Sequence, residues 1–465
     1  MTTIESHVSS NETRVSSSTV AAVEELRSAW QAEYGQKHAK SAAANRQSSA
    51  AIALTQRTRF NSGMPFPVYV AEGSGAWFTD IDGNRFLDCN AGWNASLFGR
   101  GNPVITAAIS DAAARLGAPG GAMHPSLIRD EFASLICSRI PGAERVVFAP
   151  SGSEANTYAL RLARSATGRQ KILRVRGGFH GQNDHLLQGG SSVRGLPTGL
   201  SAWQVDMPYN DIEQSVRLIE QHASDLAAVI VEPMMTIPGA VHQRNGYLQA
   251  IRTAAFKNEV PFILDEIITG NRFAVGGAAE LLGIAPPPDL TVIGKMLGGG
   301  LPVAAVVGRT ELVEQPISAS NTHAQNPVTL AASVANMKLA TPEVFARVCA
   351  LGARLREGLR TAAAGLRIPV QVTGEGPCAG IHFTGEEVVD ADTAERANQD
   401  LWRLMCLGVT NRGLAITSRT FGPIAPYTGE DVEHVISVFT ESLRAIDQAA
   451  GPLTSANQIV RGCSI

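Results

Sequence analysis

Residues 261–309 read PFILDEIITGNRFAVGGAAELLGIAPPPDLTVIGKMLGGGLPVAAVVGR, and this stretch decides the fold. The runs FILDEII and LTVIG do not alternate apolar with polar. Apart from the two acids they are almost continuously apolar, which suits strands covered on both faces, as in a mostly parallel sheet with helices on each side. The same text recurs upstream as RVVFA at 145–149, KILRVRG at 171–177 and AAVIVEP at 227–233. Between these runs lie helical segments with apolar residues at helical spacing: SEANTYALRLARSATG, DIEQSVRLIEQHAS and YLQAIRTAAFKNE. Strand and helix alternate, so the class is α/β.

Working outward, residues 66–89 (FPVYVAEGSGAWFTDIDGNRFLDC) predict a hairpin turning at Asp82-Gly83-Asn84. ITAAISDAAARL and IRDEFASLICSRI predict helices, and a long helix is expected from Asn326 to about Ala340. After Pro342 a helical run gives way to strand-like PVQVTG and GIHF, then to more helix and strand up to about Ala449, a smaller α+β unit. The division expected is a disordered Ser- and Thr-rich tail over 1–20 and a segment over 21–100 that contributes to the small domain. A large domain follows over 101–340, then the small α+β domain over 341–450 and a tail over 451–465.

Composition bounds the function. A chain of 465 residues holds two or three domains at about 150 residues each. Hydrophobic residues make up 44% and charged residues 17%, too apolar for a disordered protein. The formal charge of −3 argues against a nucleic-acid binder or a protein drawn to an anionic membrane. No apolar run reaches the ~18 residues of a membrane span, and the N-terminus lacks the pattern of a secretory signal. The cysteines, Cys89, Cys137, Cys349, Cys378, Cys406 and Cys463, are scattered without a CxxC pair. They read as free thiols of a cytoplasmic protein.

Four features carry chemistry. Asp265 sits in a strand whose preceding neighbours are apolar, where an unpaired carboxylate would cost several kcal/mol, on the order of 3–5. It must meet a cation or strong donor, as a buried salt bridge or turn cap would, or face a cleft. Lys295 directly follows an apolar strand and precedes three glycines. Burial would favour its neutral, nucleophilic amine. A phosphate-gripping lysine is the rival, but there the glycines come before the lysine. In APSGSEANTYALRLAR a strand ends and a helix begins at Ser151-Gly152-Ser153, a place for a phosphate or a plain N-cap. Phe179 follows a strand and Gly-Gly, so its ring can project over a cleft or enter the core. His180 and His185 lack a third ligand, so no metal site is expected.

In this order and spacing, these features resemble the pyridoxal-phosphate enzymes of fold type I. Within them the chain is most similar to the class III aminotransferases, in the branch that contains glutamate-1-semialdehyde aminomutase. The resemblance spans about Phe66 to Val438, and its most specific part is the segment 265–309. WFTDIDGNRFLDCNAGWNASLFGRGNP and SGSEANTYALRLARSATGRQKI extend it. It implies a large domain with a mostly parallel seven-stranded sheet and a smaller α+β domain, with pyridoxal 5'-phosphate as cofactor. By motif, Lys295 would hold the cofactor as an imine and Asp265 would keep its pyridine nitrogen protonated. Ile267 and Phe179 would flank the ring. Ser151, Gly152 and Ser153 would bind the phosphate, with His180 beside the cofactor. Thr322 would reach the phosphate of a neighbouring subunit, in a homodimer with shared active sites.

Several positions depart from the family's wording: Arg100 for a common histidine, Ile268 for a common glutamine, His323 and Gln325 after Thr322, and the stretch GGAMHPSLIRDEF. That last stretch argues against the haem-pathway aminomutase itself. A substrate carboxylate calls for an arginine fork. Arg57 and Arg59 match a substrate arginine of related enzymes, Arg412 resembles one in β-amino-acid aminotransferases, and Trp93 matches a tryptophan near the substrate. The expected activity is amino transfer from an amino donor to a keto or aldehyde acceptor, with an aminomutase or racemase as the alternative. A nucleotide-binding protein has only GEGPCAG at 374–380 in its favour, without the full dinucleotide fingerprint.

Overall fold

The structure, a computed structural model, describes residues 17–53, 63–188 and 193–451. Its centre is a seven-stranded sheet. In chain order the strands are β1 (Arg145–Ala149), β2 (Lys171–Val175), β3 (Gln204–Met207), β4 (Leu226–Val231), β5 (Phe262–Glu266), β6 (Leu290–Gly294) and β7 (Ala304–Gly308). They lie in the order β1-β7-β6-β5-β4-β2-β3. Only β7 runs antiparallel to its neighbours, β6 and β1. Every residue of β4, β5, β6 and β7 is buried, which is why these runs lack the polar alternation of a half-exposed strand. Helices cover both faces through two apolar clusters. One is built on Leu173, Val229 and Leu264, the other on Leu160, Ile230 and Val292.

A second core joins the N-terminal segment to the C-terminal one. The helix Ser17–Lys37 lies with Gln399–Asn411 and Gly429–Ala450 in a cluster that includes Trp30, Tyr34, Leu407 and Phe439. The hairpin forms as expected. Trp77–Asp80 pairs antiparallel with Arg85–Asp88, Gly83 takes φ +94°, and Leu414–Ala415 adds in parallel beside it. Thus chain segments more than three hundred residues apart share one small α+β unit.

Three local readings need correction or completion. Residues 17–20 are helical, not tail. The short strand β3, with the sequence QVDM, escaped the sequence reading because it is a polar edge strand. Residues 91–94 form a turn in which Ala91, Gly92, Trp93 and Asn94 all have φ between +46° and +65°. Three of these are not glycine, at a cost of about 1–2 kcal/mol each, so their surroundings must impose the conformation. The Asp88 carboxylate accepts from the Asn90 and Ala91 amides at 3.1 and 2.7 Å. The Asn90 side chain in turn accepts from Thr417 N and donates to Thr420 O.

Candidate active site

Five of the parallel strands end at one edge of the sheet, where open α/β sheets bind their ligands. Ser151 follows β1, Phe179 and His180 follow β2, Glu232 follows β4, Asp265 lies near the end of β5, and Lys295 follows β6. The topology therefore gathers residues that the sequence spreads over 145 positions.

Asp265 is 4% exposed. One oxygen, Oδ2, accepts from Asn156 Nδ2 at 2.8 Å and from His180 Nδ1 at 2.7 Å. The other, Oδ1, accepts from the Ile267 amide at 3.1 Å. An ionised carboxylate offers about four acceptor positions, so Oδ1 keeps capacity for a further donor. Asn156 Nδ2 also reaches His180 O, fixing the pair. Successive strand residues face opposite ways. Glu266 accordingly turns to the other side of the sheet, onto the Ala278 and Ala279 amides and the Thr269 hydroxyl.

Lys295 is half-buried as a residue, and its amine is buried. Burial pushes its pKa down to about 8; Asp265 and Glu232 act against this shift and Arg272 adds to it. At pH 8 about half of the amine is then neutral, against well under about 1% for an ordinary lysine. The free-amine form is gained as the pH rises through that value and lost below it.

At the start of the helix Gly152–Thr167, Ser151 is the N-cap, its hydroxyl accepting from Glu154 N. The first-turn amides of Gly152 and Ser153 have no helical acceptor to reach, and the helix dipole favours an anion there. Ser153 Oγ accepts from Gln182 N at 3.0 Å, with Gly181 packed against it at φ +91°. Ile267 Cδ1 would lie 2.8 Å from a Cβ placed on Gly152 and 2.8 Å from one placed on Gly294. The two glycines thus make the room that the Ile267 side chain occupies. The Phe179 amide donates to Glu232 Oε1 at 2.9 Å, which fixes the backbone carrying its ring.

A model of the class-III aminotransferases matches residues 59–419. The chain belongs to that family. It is 35% identical to a glutamate-1-semialdehyde 2,1-aminomutase of Myxococcus xanthus, over 82% of this chain and 91% of that one. Among solved structures it resembles a β-phenylalanine aminotransferase from Variovorax paradoxus, with a TM-score of 0.80 at 28% identity, over 90% of this chain and 97% of that one. A transaminase with PLP bound gives a TM-score of 0.79 at 26% identity, over 89% and 99%. The cofactor of this class-III enzyme is pyridoxal phosphate, and the residues present fit it. The Ser151–Ser153 turn offers amides to a phosphate, Asp265 Oδ1 keeps an acceptor position for a ring N–H, and Gly152 and Gly294 make room for the Ile267 side chain that would flank the ring. Replacing Gly152 with alanine should push Ile267 toward the cofactor and weaken binding about tenfold. An equilibrium titration with pyridoxal phosphate checks this, and an unchanged Kd would mean that Ile267 does not border the ring.

The structure does not gather all the expected residues. Arg412 caps the helix Gln399–Asn411, donates to Gly408 O, lies 5.2 Å over the Trp30 ring and pairs with Glu441. Those partners belong to the small-domain core and surface, and none of them is in the Lys295 group. Arg57 and Arg59 lie outside the described residues. His180 is turned onto Asp265. Trp93 stands 43% exposed on the strained turn. Thr322 lies on an exposed loop, where its carbonyl would be 1.8 Å from a Cβ on Gly120 of the same chain.

Sequence reasoning missed Glu232 and Asn156. Glu232 is 6% exposed, with Oε2 accepting from Thr236 Oγ1 at 2.8 Å, and burial pushes its carboxyl up. The signal was present, since Glu232 ends the buried run AAVIV just as Asp265 ends FIL. Among the described residues one His/Asp group is tight enough for a metal: His38, Asp80 and Asp82. Its carboxylates are already taken up by donors that include His38, Asn84, Lys40 N and Ser41. No helix among those residues is long and apolar enough to cross a membrane.

Proposed function

We propose that this enzyme moves an amino group from an amino donor to a keto or aldehyde acceptor, with carboxylate-bearing substrates. The observation that carries this reading is the Lys295 amine, biased toward its neutral form, at the same strand edge as the Asp265 carboxylate. When bound, pyridoxal phosphate supplies an electron sink for the pair released at the substrate carbon. The chain's own residues do the rest. Gly152 and Ser153 amides anchor the phosphate. Asp265 Oδ1 holds a proton at the ring nitrogen. Phe179 and Ile267 would hold the ring between them. Lys295 Nζ, once free, takes the proton from the substrate carbon and returns it elsewhere as general base and acid. Arg57 and Arg59 remain the candidates for gripping a carboxylate, with Trp93 at the substrate side.

A homodimer with shared sites is part of the proposal. Thr322 is exposed, and near its loop Met123 and Leu127 are 85% and 86% exposed, an apolar surface that a second copy would cover. The cytoplasm is the proposed compartment, in keeping with free thiols at the five described cysteines.

The identity to the Myxococcus xanthus aminomutase favours a second reading, an intramolecular aminomutase; a racemase belongs to the same alternative. The test is to supply an amino donor with no carbonyl acceptor. A transferase releases one keto product per site and stops until acceptor is added. An isomerase converts its substrate without a second one and yields no keto product, and that result would overturn the transferase reading.

A further inference from the structure

Arg272 is the largest fully buried side chain among the described residues, at 0% exposure. A guanidinium taken out of water calls for a carboxylate, yet no described carboxylate lies within ion-pair distance of it. Its partners are sulfur atoms. Nε donates to Cys378 Sγ at 3.2 Å and Nη1 to Met296 Sδ at 3.6 Å, while Nη2 is buried with no partner. Sulfur is a weak acceptor, so the positive charge stays largely uncompensated.

Its location gives the charge a use. Met296 directly follows Lys295, and Lys295 has φ +47°, a left-handed conformation that a lysine holds only when its surroundings impose it. Met296 is gripped from several sides. Its carbonyl accepts from Asn271 Nδ2 at 3.2 Å and from Asn336 Nδ2 at 2.8 Å, and its sulfur takes Arg272.

We propose that Arg272 is a positioning residue for Lys295: through its contact with the adjacent Met296 it helps fix the strained lysine, and it sets a guanidinium without a carboxylate partner one residue from the lysine. The charged groups acting on that nitrogen are Asp265 from β5, Glu232 from beyond β4 and Arg272 from the turn after β5. The two acids draw a proton to it and Arg272 repels one. Cys349, whose thiol burial pushes up to about 11, is acted on by Arg272 together with Cys378, Arg356 and Glu375. This inference rests on Lys295 as the residue that binds the cofactor.

The test uses the full-length holoenzyme and the pH midpoint of its visible absorbance, which reports protonation at the Lys295 nitrogen. Arg272→Met keeps a side chain of similar length and removes the charge. The midpoint should rise by about one pH unit, and the acid limb of kcat/KM should move with it. Arg272→Lys should restore both to within about 0.3 unit of wild type. Cys378→Asp keeps the arginine but neutralises it, and should raise the midpoint as Arg272→Met does, which keeps the test decisive if that variant does not fold. An unmoved midpoint in whichever of the two charge-cancelling variants folds would overturn the proposal. Absence of the visible band from wild type itself would instead sink the assignment of Lys295.

Discussion

Replacing Lys295 with alanine should lower kcat/KM by about 10⁴-fold or more, because one nitrogen performs two tasks. It is the attachment point for the cofactor aldehyde, and it is the amine placed to move the proton at the substrate carbon. A loss of that size corresponds to about 5.5 kcal/mol of transition-state stabilisation. The variant should also lose the visible absorbance of the lysine-bound cofactor, while pyridoxal phosphate still associates through the Ser151–Ser153 amides and Asp265. Turnover near wild type, or borohydride trapping of a pyridoxyl group on another lysine, would end the assignment. Folding is not expected to suffer. Lys295 holds a left-handed backbone conformation with φ +47°, and burial already disfavours its charged form.

Asp265→Asn should reduce kcat/KM by about a thousandfold, and the hydrogen bonds say why so small a change matters. His180 Nδ1 and Asn156 Nδ2 both donate to Oδ2. In the asparagine variant the carbonyl oxygen must take that position. The new amide NH₂ is then left facing the Ile267 amide, itself a donor, and facing the cofactor ring. The ring nitrogen must accept rather than donate, so it stays unprotonated and the ring becomes a poor electron sink. Steady-state kinetics checks the loss. A rate within about threefold of wild type would show that Asp265 does not hold the ring proton.

The positions of these two residues were legible in the sequence, for local reasons. FIL and LTVIG are too apolar to be anything but covered strands, and a charged residue at the end of such a strand has to face an edge or a partner. The Ser151 cap was legible on the same footing, because Ser151 Oγ and Glu154 N lie within one turn of chain. What surrounds Asp265 was not. Asn156 and His180 precede it by 109 and 85 residues; Asn156 carries no mark of its own, and His180 was placed near the cofactor by the resemblance but not on Asp265. What Arg412 meets was not legible either: it was named only through the resemblance, its partner Trp30 lies on the N-terminal helix, and no pattern near residue 412 announces that helix.

By itself, then, the sequence determined the α/β class, the strand ends that carry Asp265 and Lys295, the helix start that offers a phosphate its amides, and the family resemblance that the comparisons bear out. These follow from periodicity, capping and the cost of burying charge, all of which act over a few residues. The tertiary structure alone decided which donors hold Asp265, that Arg272 rests on sulfur rather than on a carboxylate, that residues 91–94 are driven into a left-handed turn, and that Arg412 belongs to the small-domain core. Each of these depends on what closes over a group from elsewhere in the chain, and satisfying a buried polar group is a three-dimensional condition that no local window of sequence contains.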